Sequence, residues 1–384
     1  MKVLVCPSGF KGSVSPDTAA DCIEAGILRA APTAAVRKVP LADGGEGFAH
    51  ALVAATDGTI RKLRVIGPVG EPIHSFYGIL GNAPVKTAVI EMAAAAGLSL
   101  VPPSCRNPCV TTTFGVGQLI AAALDEGAKR IIIGCGDSGT SDGGAGMLQA
   151  LGARLVGRYG QELLRAAGGQ SLISLAGVDL SKMHPGLKNV AIEAVCNWKN
   201  VLCGPQGVAR VYAPQKGATE HQTEVLAAAL ETYAVVIHRT LGIKIADAPG
   251  SGASGGLGAG LLLLGAKLRP RYEALMEDFQ IKDIFDDCDL VITAEGGVDD
   301  QTPKGKIPAE VAMRAKAKGI PVIVLAGTVG RNASVNYQVG IDAFTSILQR
   351  PSTLEEAIGE TERLLVEGAE GAIRLVGIGR RMVR

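Results

Sequence analysis

Five carboxylates stand beside glycine-rich bends in this chain. Asp43 and Glu46 lie in "ADGGEG" (42–47), Asp142 in "SDGGAG" (141–146), and Asp299 and Asp300 in "AEGGVDDQTPKGK" (294–306). Lys11, Lys304 and Lys306 occupy the same kind of segment. These residue types fit chemistry on a polyphosphate. Glycine lets backbone N–H groups approach phosphate oxygens, and a following helix end favours negative charge. Mg²⁺ is held by one or two carboxylates together with phosphates. A lysine can bind a terminal phosphate as a point charge, and a carboxylate can accept the proton of a hydroxyl nucleophile.

One such loop is weak evidence. Asp before Gly-Gly is a common turn, because Asp accepts bonds from nearby backbone N–H groups and can cap the next helix. The weight comes from repetition. Glycine-rich loops recur at 7–13, 42–47, 134–146, 249–260, 294–306 and 326–330. Together they point to a site for a polyphosphate and a metal.

Other chemistries find less support. "GSGASG" (250–255) matches a dinucleotide fingerprint in spacing but follows no convincing strand. "KGK" (304–306) lacks the upstream glycine and the Ser/Thr of a Walker A loop. The histidines at 50, 74, 184, 221 and 238 show no metal-ligand spacing. Cys105 and Cys109 flank a loop with no histidine beside them, so a metal is a poor reading there.

The elements that must position these loops follow from periodicity. "KVLVCP" reads as a strand, and "SPDTAADCIEAGILRAA" as a helix with Ser15 at its N-cap and Pro16 in its first turn. "AVRKVPLA" and "GFAHALVAAT" repeat the order. "TIRKLRVIGPVG" and "EPIHSFYGIL" read as a hairpin, followed by the strand "TAVIEMA". Next come a helix through "GVGQLIAAALDEGA" and a strand in "KRIIIGCG". "VAIEAV" and "GVARVYA" read as further strands, ahead of a long helix through "TEVLAAALETYAVVIHRTLG". "CDLVITAEG", "AEVAMRAKAKG", "PVIVLAG", "DAFTSI" and "LEEAIGETERLLVEGAEGAIRL" return to strand–helix order. The fold class expected is α/β. A doubly wound, Rossmann- or flavodoxin-like domain is built from both ends of the chain (1–65 plus 265–384), with a second α/β domain inserted at 66–264.

Bulk properties agree. A chain of 384 residues favours two domains. With 47% hydrophobic and 20% charged residues it is globular. A net charge of +1 and 4% aromatics disfavour a nucleic-acid partner. Eight cysteines without a CxxC pair, several in apolar segments, read as free thiols in a reducing cytoplasm. The uncharged stretch 248–266 contains seven glycines and a proline, which suits a loop leading into a buried helix rather than a membrane span.

Taken in order, several motifs resemble the class I (bacterial) glycerate kinases nearly from end to end. They are "FKGSVS" (10–15), "PLADGGEG" (40–47), "SDGGAGML" (141–148), "LCGPQGVARVYAPQKGA" (202–218), "PGSGASGGLGAG" (249–260) and "DLVITAEGGVDDQTPKGKIP" (289–308). The resemblance implies ATP and Mg²⁺ as cofactors and an active site in a cleft between two α/β domains. It implies phosphorylation of D-glycerate, with the 2-hydroxyl as the expected position. The catalytic residues it points to are Asp142, Asp43 and Lys11. Gly252, Gly255, Gly256, Gly296 and Lys306 would hold the nucleotide, and Asp43, Glu46 and Asp299 the metal. Ser8, Lys11, Asp137, Ser138, Gln215 and Lys216 would bind the acid. The expected partners are small molecules, with neither nucleic acid nor membrane, and a homo-oligomer stays open.

The chain departs from that family's pattern at Ser8-Gly9, at 136–141, at Asn197 and Lys199, and at Gly297, where the family has Arg. An Arg can bind a carboxylate or phosphate in bidentate fashion, and Gly297 cannot. Two other readings therefore stand beside the first: a kinase for another small hydroxy acid such as an aldonate, and a ligand-binding sensor of the same fold without catalysis.

Overall fold

The computed structural model describes residues 1–10, 12–41, 44–270 and 284–382. Contacts divide the chain into two compact units, residues 1–43 with 280–384, and residues 44–279.

The first unit is a parallel sheet with helices on both faces. Strand β1 (Lys2–Val5), helix α1 (Pro16–Ala30) and β2 (Ala35–Lys38) open it. After the second unit the chain returns as β11 (Leu290–Val298), α9 (Ile307–Ala317), β12 (Val322–Val329), β13 (Ala343–Ser346), α10 (Leu354–Gly359) and α11 (Thr361–Met382). The strand order is β13-β12-β11-β1-β2, every pair parallel. Val3, Val5, Leu290, Ile292 and Leu325 form one core with Ile23 and Ile27 of α1 and Leu364 and Leu365 of α11. Alternation turns Leu4, Val291 and Val324 to the opposite face, where α9 packs on β11 and β12. Ser15 caps α1 as its residue type predicts, its side chain accepting from the Thr18 N–H. The single carboxy-terminal helix expected from the sequence starts at a capping box of Thr353 and Glu356 and is parted into two at Glu360, whose φ of −103° and ψ of 3° leave the helical range.

The second unit holds a mixed sheet of order β10-β9-β6-β5-β4-β3. Its strands are β3 (Thr59–Ile66), β4 (Pro72–Ile79), β5 (Thr87–Glu91), β6 (Arg130–Gly134), β9 (Ala191–Cys196) and β10 (Lys267–Pro270). β3 and β4 are the antiparallel hairpin expected from their turn, while β5, β6, β9 and β10 run parallel. A boundary at residue 65 would cut through β3, which pairs with β4 along its whole length, so this contact unit begins earlier, at 44. Helices α2 (Phe48–Ala55), α4 (Phe114–Asp125), α5 (Ala145–Ala150), α7 (Glu220–Leu241) and α8 (Ala253–Leu263) pack in this unit, with a single turn, α3 (Ala93–Ala96), after β5. A small antiparallel pair, β7 (Arg154–Gly157) with β8 (Leu175–Asp179), carries no clear alternation in the sequence.

"GVARVYA", expected as a strand, is helix α6 (Val208–Tyr212). The reason is tertiary. Arg210 reaches Glu224 at 2.9 Å and Glu231 at 3.2 Å, both on α7, and Val208 and Ala209 are buried. Docking on α7 overrides the β-propensity of Val and Tyr. The 248–266 stretch is a glycine-rich bend, with Ser254, Gly255 and Gly256 at positive φ, that leads into the buried helical turns of α8. Among the described residues no helix is long and apolar enough to cross a membrane. The cysteines are free thiols, with Cys6, Cys109, Cys135 and Cys196 buried.

Candidate functional site

In each unit the loops of interest follow the carboxyl ends of parallel strands, where open α/β sheets bind ligands. The second unit gathers more of them. Two segments of its chain carry the Asp-Gly-Gly pattern, and the structure treats them differently.

"SDGGAG" is interior. The Asp142 side chain is 1% exposed. Its Oδ2 accepts the Thr113 N–H at 2.8 Å and the Gly146 N–H at 3.2 Å, and its Oδ1 the Gly144 N–H at 3.1 Å. The Thr113 hydroxyl donates to the same carboxylate at 2.9 Å. Burial pushes the Asp142 pKa up, against the pull of these donors. Asp142 thus ties the start of α4 to the start of α5. The loop 249–260 packs against this bend, with the Gly143 N–H donating to the Gly255 carbonyl at 3.0 Å. Gly255 has φ +70, and a Cβ there would lie 1.9 Å from the Thr140 carbonyl oxygen. A Cβ on Gly252 would lie 2.1 Å from the Val201 carbonyl, and one on Gly256 2.7 Å from Leu202. These three glycines, expected to cradle phosphate, permit backbone to pack on backbone.

"ADGGEG" is open. Asp43 lies outside the described residues. Glu46 is exposed; its N–H donates to Asp137 Oδ2 at 3.2 Å, and the Ser99 hydroxyl donates to its carboxylate. Gly47 caps α2 at φ +89, and a Cβ there would meet nothing within 4 Å.

The segment after β6 joins the two. Asp137 sits at φ +49, a conformation costly for a residue with a side chain unless the surroundings hold it. Its carbonyl accepts the Leu98 N–H at 2.8 Å, and Ser138 pairs with Gly97. Lys216, 2% exposed, completes the support. Its ammonium donates to Ser138 Oγ at 2.9 Å and to the Thr140 carbonyl at 2.6 Å. Burial pushes the Lys216 pKa down to about 7, only partly offset by the charge of Asp142. Asp137, Ser138, Glu46 and Lys216 are therefore assembled at one strand end, with Gln215 exposed beside Lys216. Asn197 turns its carboxamide oxygen onto the Lys199 N–H at 3.1 Å, an Asx-turn after β9.

Glu91 belongs to this cluster and escaped the sequence reading. It is the last residue of β5, 3% exposed, and accepts the Ala49 N–H at 2.9 Å. Burial pushes its pKa up to about 7, opposed by the amides of Ala49 and Gly47 and reinforced by Glu46 and Asp137. The signal was present: a lone carboxylate closes the otherwise apolar run "TAVIEM".

In the first unit the sheet reverses its direction of growth between β1 and β11, the switch point at which such sheets bind ligands. Ser8 follows β1 there, 6% exposed, with its N–H and hydroxyl both donating to the Ala294 carbonyl, at 2.8 and 3.0 Å. Gly296 has open space where a side chain would stand. The Lys306 ammonium lies 3.2 Å from the Gly297 carbonyl, 3.4 Å from Asp299 and 3.9 Å from Glu295. Asp299 Oδ1 also accepts the Gln301 N–H at 2.9 Å. Lys11 lies outside the described residues. Of the five residues expected to hold a nucleotide, Gly296 and Lys306 fall in this unit, and Gly252, Gly255 and Gly256 in the other.

Among the described residues no group of three or more His, Cys, Asp or Glu is arranged to hold a metal. That donor set fits a Mg²⁺ carried by phosphates and steadied by one carboxylate such as Asp299. It does not fit a cation caged by the protein alone.

Residues 3–377 match the model of the glycerate kinase family. A protein named glycerate kinase from Bacillus subtilis (strain 168) is 47% identical over 93% of both chains. One named glycerate 2-kinase from Escherichia coli (strain K12) is 45% identical over 93% of both. A solved chain from Salmonella typhimurium LT2, described as a candidate glycerate kinase 2, superposes with a TM-score of 0.77 at 41% identity, covering 99% of each.

Proposed function

The chain belongs to the glycerate kinase family, and on that premise we propose that it transfers the γ-phosphoryl group of ATP to the 2-hydroxyl of D-glycerate. The observation that carries the reading is the match to named relatives over nearly the whole of both chains. The name of the Escherichia coli relative supports the 2-position.

The acid is assigned to the strand ends of the second unit. Ser138 and Gln215 offer hydrogen bonds, and Lys216 fixes the Ser138 hydroxyl from behind. The nucleotide phosphates are assigned to the β1/β11 switch point, with Ser8, Gly296 and Lys306 in contact and Lys11 beside them in sequence. Mg²⁺, when bound with ATP, offsets phosphate charge, and Asp299 is the residue assigned to steady it. Asp142 is already satisfied by buried donors, so the role of accepting the hydroxyl proton moves to Asp43. Lysine charge near the transferred group lowers the barrier by opposing the charge that develops there.

The test is product analysis by phosphorus NMR after incubation with ATP, Mg²⁺ and D-glycerate. The expected result is ADP with one new phosphate ester whose coupling places it on carbon 2. ATP left intact with glycerate but consumed with a longer aldonate would move the acceptor. Binding of the acid with no ADP at all would sink the kinase reading.

A further inference from the structure

The open loop 44–47 has no side chain of its own to hold the helix it leads into. Gly47 is the cap of α2 and provides no side-chain bond. The first amides of a helix need partners from elsewhere. Here they find a carboxylate from the sheet: the Ala49 N–H donates to Glu91 Oε2 at 2.9 Å. A negative charge at this end also complements the helix dipole. On the other side of the loop the Glu46 N–H donates to Asp137 Oδ2 at 3.2 Å. Residues 46–49 are thus hung from two carboxylates at the ends of neighbouring strands, β5 and β6.

The arrangement is costly as a matter of folding alone. Glu91 is 3% exposed and faces two like charges, Glu46 and Asp137. A Ser or Asp at the cap position would satisfy the same amides at the surface without burying a charge. What the buried carboxylate adds is a rigid link from β5 to the loop. A side chain anchored in a sheet fixes geometry better than one carried on the loop itself.

We propose that Glu91 is a positioning residue for phosphoryl transfer. By holding the amide of Ala49 it fixes the start of α2 and with it the path of the 44–47 loop, and so aligns that loop with the Asp137–Ser138 segment that takes the acceptor. This inference rests on the kinase reading above.

The experiment compares the full-length parent with Glu91→Ala and Glu91→Gln. Steady-state kinetics are taken per folded molecule, with hydrogen exchange read at amides 44–49. Glu91→Ala is expected to lower kcat/KM for glycerate about tenfold or more while leaving the KM for ATP near the parent value. Glu91→Gln, whose carboxamide oxygen can still accept the Ala49 N–H, is expected to recover most of the loss. The amide of 49 should exchange about tenfold faster in Glu91→Ala. Equal losses toward both substrates, or no recovery in Glu91→Gln, would reduce Glu91 to a structural residue. Unchanged exchange would overturn the link to the loop. A parent that phosphorylates no acid sinks the kinase reading alone, and the exchange comparison then still decides whether Glu91 holds the loop.

Discussion

"SDGGAG" and "ADGGEG" share their pattern and differ in what surrounds them. In the first, the carboxylate is enclosed and accepts from Thr113, Gly144 and Gly146. In the second, the one carboxylate within the described residues, Glu46, is exposed, and the loop is held from outside by Asp137 and Glu91. The same glycine pair therefore does two jobs. Around Asp142 it lets three chain segments meet at backbone distance. Beside Glu46 it packs closely on the backbone of Cys135, Gly136 and Val195, and leaves Glu46 and Gly47 facing solvent. A carboxylate that is already saturated with donors is a fastener, and one left facing solvent is available for chemistry.

The contrast is open to tests of decreasing size. The largest effect is expected from Gly255→Ala beside the enclosed loop. Its Cβ would stand 1.9 Å from the Thr140 carbonyl at a φ of +70, so the backbone must shift. A loss of about 4 kcal/mol or more is expected in urea unfolding. Gly47→Ala in the open loop meets nothing and should cost only its backbone strain, about 1–2 kcal/mol. Similar losses in the two would erase the distinction.

Next in size is removal of the acids themselves. Asp142→Ala strands the N–H groups of Thr113, Gly144 and Gly146 in the interior. About 3 kcal/mol of stability should go, by the cost of unsatisfied buried donors. Glu46→Ala should change stability by under about 0.5 kcal/mol, as exposed substitutions do, while lowering turnover of glycerate. Thermal melts with activity assays on both variants check this pair. An Asp142→Ala protein as stable as the parent would break the fastener account.

A further test is a slope with pH. Lys216 supports the carbonyl of Thr140, just ahead of the enclosed loop, and its pKa falls from 10.5 to about 7 on folding. Between those values the unfolded chain binds a proton that the folded chain does not. Stability should therefore rise as pH rises from about 7 toward 10, and level off below 7. Lys216→Met should flatten that dependence. Urea midpoints taken across the range for both proteins measure the difference. Equal slopes would show that the lysine stays charged inside the fold.

Much of this architecture is written in local pattern. Strand–helix alternation, the capped start of α1 at Ser15, the β3–β4 hairpin and the glycine loops at strand ends all follow from short-range periodicity and turn chemistry. The misses have a common cause. "GVARVYA" is too short for its pattern to resist docking on α7 through Arg210. Glu91 is a single charge in an apolar strand, and only its proximity to amides 42 positions or more away in the chain gives it meaning. β10 was hidden because four residues ending in proline are a weak strand until β9 lies beside them.

The sequence by itself determined the repertoire: glycine-rich loops, carboxylates and lysines in an order shared with one family of kinases. Composition also disfavoured a basic, aromatic nucleic-acid surface. Only the tertiary structure decided which carboxylate is spent on holding the protein together. Burial and hydrogen bonding depend on partners brought from distant parts of the chain: Thr113 for Asp142, and β5 for the loop that carries Glu46. No spacing within a six-residue motif encodes what packs against it. The two Asp-Gly-Gly bends became different objects when the fold enclosed one and left the other at the end of a sheet.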